Sequence, residues 1–380
     1  MELINLYGGN MKKSEPIRVA HIMGKLCAGG VESVVFNYYK EIDKELIQFD
    51  FYYDSDSTVD PPLELTKMGA RFIKIPPYQH IFSYLYVLKK YFKINNYKVI
   101  HSHINTLSVF PLFVAFISNI PIRIVHNHSV PSGKEYFRNA LKYFLRFFSK
   151  IFATDYFACS EKAGKWMFGE KSLSDGKVFI MKNAVNFDKY NCSIRSTPKN
   201  DLRYKYDLGN RFIVTHVGRL TFAKNHKFLL KVFMEILKQK DAYLFIVGGG
   251  ELENEIKREI EKLGLSEFVK ITGSVFNVED YYCVSDVVIM PSIFEGLSLV
   301  TIESQISGVP IVVSEAIPDE AIISDSVCKL SLEELPSFWG EKAIEISKKN
   351  VVLNKKSVEY DIKKQVSRLE NWYYNEISNI

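Results

Sequence analysis

The 380-residue chain has little cysteine, and none of its cysteines stands close to another in sequence. A Cys-x-x-Cys pair would suggest a metal or redox site, and a dense cysteine framework would suggest a small secreted domain. Because neither pattern occurs, we expect no cysteine-bound metal, no disulfide and a reducing compartment such as the cytosol. The five cysteines are Cys27, Cys159, Cys192, Cys283 and Cys328.

Long apolar runs and a large charge excess are also lacking. The most apolar stretch, residues 107–117, is too short to cross a bilayer, which takes about 20 helical residues. Residues 1–16 lack the apolar core of a signal peptide. The net charge of +5, from 49 Lys+Arg and 44 Asp+Glu, does not call for a nucleic-acid partner. A hydrophobic fraction of 47% is typical of a globular protein with a large core.

Short apolar strands alternate with helices twice along the chain. Residues 17–22 are predicted as a buried strand that leads through Gly29-Gly30 into a helix, and the same alternation continues to residue 180. A polar stretch, residues 191–200, then separates it from a second alternation that begins at Phe212. The pattern predicts an α/β protein with two doubly wound, Rossmann-like domains, residues 1–200 and 201–355, followed by a C-terminal helix within 356–380.

One candidate phosphate site follows the first strand of the second half. Gly218 ends this strand and permits close backbone approach, while Arg219 and Lys224 supply positive charge before the next helix. A diphosphate needs both properties. The alternative is an ordinary loop with two solvated cations.

A second candidate site comes after the strand predicted at residues 286–290. Glu295 lies in the loop at its carboxyl end, Ser298 can cap the following helix, and Glu303 falls in the second turn. The backbone N–H groups of Gly296 and Leu297 suit an anion near the helix start. The alternative is a capped helix with two incidental acids.

Glycine loops and histidines give weaker signals. Gly29-Gly30 and the glycines at 248–250 lack the spacing of a dinucleotide fingerprint, so tight turns explain them as well. Two histidine pairs, at 101 and 103 and at 126 and 128, follow predicted strands, where catalytic groups collect. They can move protons or bind hydroxyls, or they can be loop histidines bonded to the backbone. Without a supporting cysteine or carboxylate we expect no metal.

A basic stripe is predicted near the middle of the first half. Cations recur at every fourth position among aromatic residues, which is typical of an amphipathic helix that lies on an anionic membrane surface. An ordinary solvated helix face is the alternative. The cations that we expect to contact lipid are Lys134, Arg138, Lys142 and Arg146.

The order of these pieces resembles the family-four retaining glycosyltransferases of GT-B fold. The resemblance rests on the Gly-Gly loop, the His126-Asn-His128-Ser segment, the Gly218-Arg219-Leu220 segment with Lys224, and the two glutamates eight residues apart. It covers nearly the whole chain, and the stretches around the two histidine pairs resemble the bacterial exopolysaccharide, capsule and O-antigen branch. The resemblance implies two domains that face each other across a cleft, an N-terminal domain on the acceptor side and a C-terminal domain that binds the nucleotide sugar. It also implies that the C-terminal helix within 356–380 returns to the N-terminal domain. Residues 301–305 depart from the family's small and apolar residues, which we interpret as a subfamily feature.

The resemblance also implies roles for the candidate residues. Glu295 would contact hydroxyls of the transferred sugar and Glu303 the nucleotide ribose, while Arg219 and Lys224 would hold the diphosphate. Gly29 and Gly30 would approach the donor phosphate or the acceptor, and His128 would lie near the reacting centre. The scheme needs no metal and no further cofactor.

The function implied is transfer of a hexose or N-acetylhexosamine, with retention, from a nucleotide diphosphate sugar to a lipid-linked oligosaccharide in surface polysaccharide synthesis. We expect a UDP-sugar as donor and a cytoplasmic, peripheral position on the inner face of a bacterial plasma membrane. Two alternatives remain open: a nucleotide-sugar 2-epimerase with the same layout, and a catalytically silent nucleotide-sugar-binding partner of a polysaccharide assembly complex.

Overall fold

The structure, a computed structural model, describes residues 15–380 except 28, 130–135, 196 and 276. The chain forms two compact units. Unit 1 comprises the chain up to Lys182 together with Gln365–Ile380, and unit 2 comprises Asn183–Lys364.

Unit 1 contains a parallel sheet of seven strands in the order β3-β2-β1-β4-β5-β6-β7. The strands are β1 (Ile17–Gly24), β2 (Ile47–Asp54), β3 (Arg71–Ile75), β4 (Val99–Ser102), β5 (Ile122–Asn127), β6 (Asp155–Ala158) and β7 (Val178–Ile180). The helices between them are α1 (Gly30–Glu41), α2 (Leu63–Lys67), α3 (Ile81–Asn95), α4 (Val109–Ile117), α5 (Tyr136–Phe152), α6 (Glu161–Phe168) and α7 (Glu170–Ser174).

Unit 2 contains a second parallel sheet, of six strands, in the order β10-β9-β8-β11-β12-β13. The strands are β8 (Phe212–Val217), β9 (Ala242–Val247), β10 (Val269–Gly273), β11 (Val287–Met290), β12 (Ile311–Ser314) and β13 (Val327–Leu330). The helices are α8 (Phe187–Tyr190), α9 (Lys199–Lys205), α10 (His226–Leu237), α11 (Glu253–Lys262), α12 (Val278–Val284), α13 (Leu299–Ile306) and α14 (Pro336–Ile346), and α15 (Ile362–Ser378) continues from unit 2 into unit 1.

Both faces of the second sheet are buried, which explains its apolar strands. Val287 and Ile289 of β11 pack in one cluster with Leu229 of α10 and Trp339 of α14. The alternate residues Val288 and Met290 pack in a second cluster with Ile302 of α13. A strand with helices on both faces must be apolar at every position, because successive side chains point to opposite faces.

The predicted two-domain α/β architecture is confirmed, and the division of the chain falls earlier than residue 200. Residues 183–200 belong to unit 2. Val185 pairs with Asp361, and Tyr190 packs in the same cluster as Tyr282 of α12. The segment 365–380, most of the helix expected at the C-terminus, belongs to unit 1.

In both sheets the strand order reverses beside the first strand, between β1 and β4 and between β8 and β11. Parallel sheets of this kind bind ligands at the carboxyl ends of the strands next to such a reversal. The loops after β8 and β11 carry Lys224 and Glu295, while His21 lies in the second half of β1 and His103 directly follows β4. The topology therefore places the candidate residues of each unit near the edge of the sheet at which parallel sheets usually bind ligands.

Candidate donor site and histidine cluster

Lys224 and Glu295 meet at the carboxyl edge of the second sheet. Lys224 Nζ donates to Glu295 Oε1, which also accepts from Ser292 Oγ at 3.1 Å. Their side chains are only 17% and 12% exposed, so this is a sheltered ion pair. Ile293 N donates to Ala223 O at 2.7 Å and joins the two loops. The cation predicted for a diphosphate and the carboxylate predicted for a sugar thus lie side by side.

Arg219 lies outside this pair. Its guanidinium is 3.9 Å from the carboxylate of Glu251, and the two side chains are 52% and 61% exposed. An ion pair this open contributes about 0–1 kcal/mol. Arg219 can therefore turn towards an anionic ligand at little cost.

The three consecutive glycines after β9 have a packing role that the sequence analysis missed. A Cβ on Gly248 would lie 2.1 Å from Gly218 O, and one on Gly250 would lie 2.6 Å from Leu220 O. Leu220 N donates to Gly249 O at 3.0 Å and Leu252 N to Leu220 O at 3.0 Å. The glycines let this loop lie directly against the loop that begins at Gly218 and fix its course.

Glu303 is held by two tyrosines. It accepts from Tyr190 Oη at 3.0 Å and from Tyr282 Oη at 2.9 Å. Burial raises the pKa of Glu303, and the two phenol hydrogen bonds oppose that rise. Its helix, α13, begins as predicted, with Ser298 Oγ accepting from Thr301 N at 3.3 Å. The sequence analysis missed both tyrosines, because they come from two helices far apart in sequence, α8 and α12, without a recognisable spacing.

A disulfide joins Cys192 to Cys283 beside this carboxylate. The expectation of no disulfide is therefore wrong. The two cysteines are 91 residues apart in sequence, so close spacing could not reveal the pair. Cys192 follows Tyr190 by two positions and Cys283 follows Tyr282 directly, so the bond ties together the segments that carry both tyrosines.

The backbone just before α13 has free space beside it. A Cβ on Gly296 would meet nothing within 4 Å. The same holds for Gly30 in unit 1, whereas a Cβ on Gly29 would lie 2.8 Å from Glu32 Oε2. Glu32 Oε1 accepts from Cys27 N at 2.8 Å and closes the glycine loop. Gly30 and Gly296 are thus the predicted glycines with room for a ligand against the backbone.

The two predicted histidine pairs form one cluster with a fifth histidine, His21, which the sequence analysis did not single out. Four of the five, His21, His101, His103 and His126, are at most 2% exposed. Burial lowers the pKa of His21 and of His128 to about 3 in each case, so both rings are neutral at pH 7. His128 is the partly exposed member, and its backbone N donates to Asn105 Oδ1 at 2.7 Å.

The basic stripe differs from its prediction. Lys134 lies outside the described residues, as does the side chain of Arg138. Arg146 donates to Trp166 O and lies over the rings of Trp166 and Tyr143, and Lys142 is partly buried. Over residues 142–152, whose side chains the structure describes, the exposed face of α5 is instead apolar and aromatic, and α4 beside it exposes Phe116. The exposed residues in this part of α5 are Tyr143, Phe144, Phe147 and Ile151.

Among the described residues, no helix is long and apolar enough to cross a membrane.

Comparison with known families gives a match in each half of the chain. Residues 28–189 match the family described as Glycosyltransferase Family 4, and residues 199–334 match Glycosyl transferases group 1. Both matches together cover most of the described chain.

Two curated relatives align over most of their length. The putative glycosyltransferase EpsF of Bacillus subtilis is 27% identical over 85% of this chain and 86% of its own. The UDP-Gal:alpha-D-GlcNAc-diphosphoundecaprenol alpha-1,3-galactosyltransferase of Escherichia coli is 23% identical over 96% of this chain and 98% of its own.

A solved structure shares the fold. Anabaena Alr3699/HepE in complex with UDP and glucose superposes with a TM-score of 0.74 at 16% identity, covering 94% of this chain and 99% of that one. The likeness extends over both units and supports the GT-B fold.

Proposed function

We propose that the chain, whose two halves match the Glycosyltransferase Family 4 and Glycosyl transferases group 1 models, transfers a hexose or N-acetylhexosamine from a nucleotide diphosphate sugar to a lipid-linked oligosaccharide. The observation that carries the proposal is the sheltered Lys224–Glu295 pair at the carboxyl edge of the second sheet. The relative from E. coli, whose name gives UDP-Gal and a diphosphoundecaprenol-linked sugar as its substrates, supports a UDP-sugar donor and a lipid-linked acceptor.

Each candidate residue of unit 2 has a proposed contact with the donor. Lys224 and Arg219 bind the diphosphate, and the backbone N–H groups of Gly296 and Leu297 add donors at the start of α13. Glu295, next to Lys224, accepts from sugar hydroxyls. Glu303 binds the ribose hydroxyls, because the tyrosines hold its carboxylate in a fixed position.

Retention follows in this scheme if the acceptor hydroxyl attacks from the face that the diphosphate leaves. Negative charge then develops on the diphosphate, and Lys224 and Arg219 stabilise it without a metal ion or another cofactor. In unit 1, Gly30 and Gly29 approach the phosphate or the acceptor, and His128 lies near the reacting centre. As a neutral ring, His128 can accept a hydrogen bond from the acceptor hydroxyl.

A peripheral position on the inner face of a bacterial plasma membrane belongs to the same proposal, within polysaccharide synthesis. The exposed aromatic face of α5 supports it, since aromatic side chains insert at the headgroup level. Replacing Phe144 and Phe147 by Ser is expected to weaken binding to anionic vesicles, while Tyr204→Ser, at a 90% exposed site in unit 2, leaves it intact. Equal vesicle binding by all three proteins would contradict this position.

The epimerase and the silent partner are less well supported. EpsF, a putative glycosyltransferase, and the E. coli galactosyltransferase, named for transfer, both align over most of the chain. The presence of all four candidate charged residues argues against a silent partner; they are Arg219, Lys224, Glu295 and Glu303.

Two substitutions test the donor site by calorimetry with UDP and with UDP-sugars. Glu303→Ala should lower the affinity for UDP and for UDP-sugars alike by roughly 10–100-fold, because it removes about 1.5–3 kcal/mol of charge-assisted hydrogen bonding to the ribose. Glu295→Gln should lower the affinity for UDP-sugars but leave the affinity for UDP unchanged. Glu334→Ala, at an exposed site, is the control. A Glu303→Ala protein with full UDP affinity would contradict the assignment, and Glu303→Gln repeats the test if the alanine variant unfolds.

A further inference from the structure

Five imidazoles gather in the second halves of three neighbouring strands of unit 1, or directly after these strands. β1 carries His21 and pairs with β4, where His21 and His101 are register partners. β4 pairs in turn with β5, whose end carries His126. Residues two apart along a strand direction share a face, so His103 and His128 extend the two strands on the same side. The result is a packed group of rings, with the centroids of His101 and His103 4.3 Å apart.

The rings form two hydrogen-bonded chains. In one, His103 contacts His21 Nδ1 through Nε2 at 2.9 Å and His128 Nε2 through Nδ1 at 3.0 Å. In the other, His101 contacts Tyr373 Oη through Nδ1 at 2.7 Å and His126 Nδ1 through Nε2 at 3.0 Å.

One nitrogen in each chain has no hydrogen-bond partner among the described residues, His21 Nε2 in the first and His126 Nε2 in the second. The side chain of His126 is fully buried. A buried polar atom without a partner costs about 1–3 kcal/mol and calls for an explanation, such as an ion that the polypeptide alone does not include.

A metal ion supplies that explanation. One nitrogen from each of His103, His126 and His128 lies within 4.8 Å of the other two. We propose that these three histidines bind one late first-row transition ion, with Zn²⁺ as the representative, and that His21 and His101 orient the ligands. The proposal goes beyond the proposed function and shares one residue with it, His128, whereas the groups assigned to the diphosphate lie in unit 2.

The hydrogen bonds fit this assignment. If His103 binds the ion through Nδ1, its Nε2–H donates to His21 Nδ1. If His126 binds through the unpartnered Nε2, its Nδ1–H donates to His101 Nε2, and His101 Nδ1–H donates to Tyr373 Oη. Ligating histidines usually donate their second N–H to such a partner, which fixes tautomer and ring orientation. Two of the three ligands therefore have an orienting group in place.

The donor set selects the class of ion. Neutral imidazole nitrogens suit Zn²⁺, Cu²⁺, Ni²⁺ and Co²⁺, whereas Mg²⁺ and Ca²⁺ require oxygen ligands. His103 Nδ1 and His128 Nε2 are 3.0 Å apart, near the separation of about 3.3 Å between two nitrogens on one tetrahedral ion. His128 is partly exposed, which leaves a route to the ion.

The test uses untagged, full-length protein that has been treated with a chelator and dialysed. Titration with Co²⁺ should produce visible absorption bands of a nitrogen-bound ion that saturate at one equivalent, and Zn²⁺ should abolish them. His103→Ala and His126→Ala should weaken Co²⁺ binding at least about a hundredfold, and His21→Ala, which removes an orienting group, about tenfold. His80→Ala, at an exposed histidine of the same unit, is the matched control and should bind Co²⁺ normally.

A wild-type protein that shows no Co²⁺ bands and no Zn²⁺-dependent rise in melting temperature would overturn the proposal without any variant. Unchanged Co²⁺ binding in a folded His103→Ala protein would also overturn it. UDP binding is measured on the same samples and reports on the proposed function. A protein that binds UDP but no metal ion would overturn the metal site alone.

Discussion

Lys224 is the residue on which the proposed donor site depends most. It is sheltered against Glu295, and its stem packs on Gly218, where an added Cβ would lie 3.1 Å from Lys224 Cε. Arg219 is more than half exposed. The two cations should therefore differ in what their removal does to the fold, although both face the same proposed phosphate.

We predict that Lys224→Ala lowers kcat/KM about 100–1000-fold, as loss of a group that stabilises developing charge does. It should also lower the melting temperature, because Glu295 keeps Ser292 but loses its cation. Arg219→Ala should lower kcat/KM without changing the melting temperature. Steady-state kinetics and thermal unfolding check both, with Lys227→Ala, an exposed cation, as control. Full activity in Lys224→Ala would contradict the assignment.

Asp54, at the end of β2, gives a pH-dependent prediction. Burial, with a smaller contribution from Asp56, raises the pKa of Asp54 from 3.8 to about 6. A carboxyl group whose pKa is raised on folding favours the folded state most below its unfolded pKa, and this contribution is lost as pH rises through about 6. Asp54→Asn should therefore stabilise the protein by roughly 1–2 kcal/mol at pH 7.5 and by little at pH 4. Urea unfolding at the two pH values checks this, and an equal difference at both would contradict it.

Individual residues were predictable from the sequence where a strand end determines their place. Glu295 and Lys224 follow apolar strands, and parallel strands bring such loops to one edge. Tyr190, Tyr282 and His21 were not predictable in their roles, because a tyrosine or histidine near a buried strand is usually part of the core. Only the packing of the chain shows which polar atoms they reach.

At the level of elements, the glycines after β9 let their loop pack directly against the loop that begins at Gly218. Gly248 has φ +139°, and its Cβ would lie 2.1 Å from a backbone oxygen, so Gly248→Ala must displace the loop that begins at Gly218. We predict a loss of about 2–4 kcal/mol in unfolding free energy together with weaker UDP binding. Gly249→Ala is the matched control, because its Cβ would make an ordinary contact, 3.4 Å from Ser274 Oγ. Chemical unfolding and calorimetry check both, and equal effects would contradict the packing role.

The Cys192–Cys283 disulfide joins α12 to the segment that follows α8, close to the two tyrosines on Glu303. Reduction should lower the unfolding free energy by about 2–4 kcal/mol. It should also weaken UDP binding, because the disulfide no longer holds together the two segments that carry the tyrosines. The check compares wild type and Cys192→Ser with and without a phosphine reductant. Wild type should respond and the variant should not. An unfolding free energy of the wild-type protein that is the same with and without the reductant would contradict this role.

Elements were predictable where apolar runs are continuous, and less so at the end of unit 2. β11 is buried on both faces and reads as four apolar residues. β13 is a short edge strand with the sequence Val-Cys-Lys-Leu, partly exposed, and it gives no such run. Its place is set by pairing with β12, which no local pattern reports.

At the scale of the whole molecule, the two-domain fold was predictable because the alternation of strands and helices occurs twice. The division at Lys182 was not. Polarity suggested a linker at residues 191–200, yet Tyr190 is buried with Tyr282, and Val185 N donates to Tyr360 O at 2.9 Å. A polar segment marks a surface, which need not be a boundary between domains.

The most direct test of the account is transfer itself. The full chain is incubated with UDP-sugars and a polyprenyl-diphosphate-linked sugar, and the product is analysed by mass spectrometry and by NMR of its anomeric proton. We predict one new glycoside on the lipid-linked sugar, with the anomeric configuration of the donor and without added divalent metal. A product of inverted configuration, or conversion of the donor to an epimer with no glycoside formed, would contradict the account.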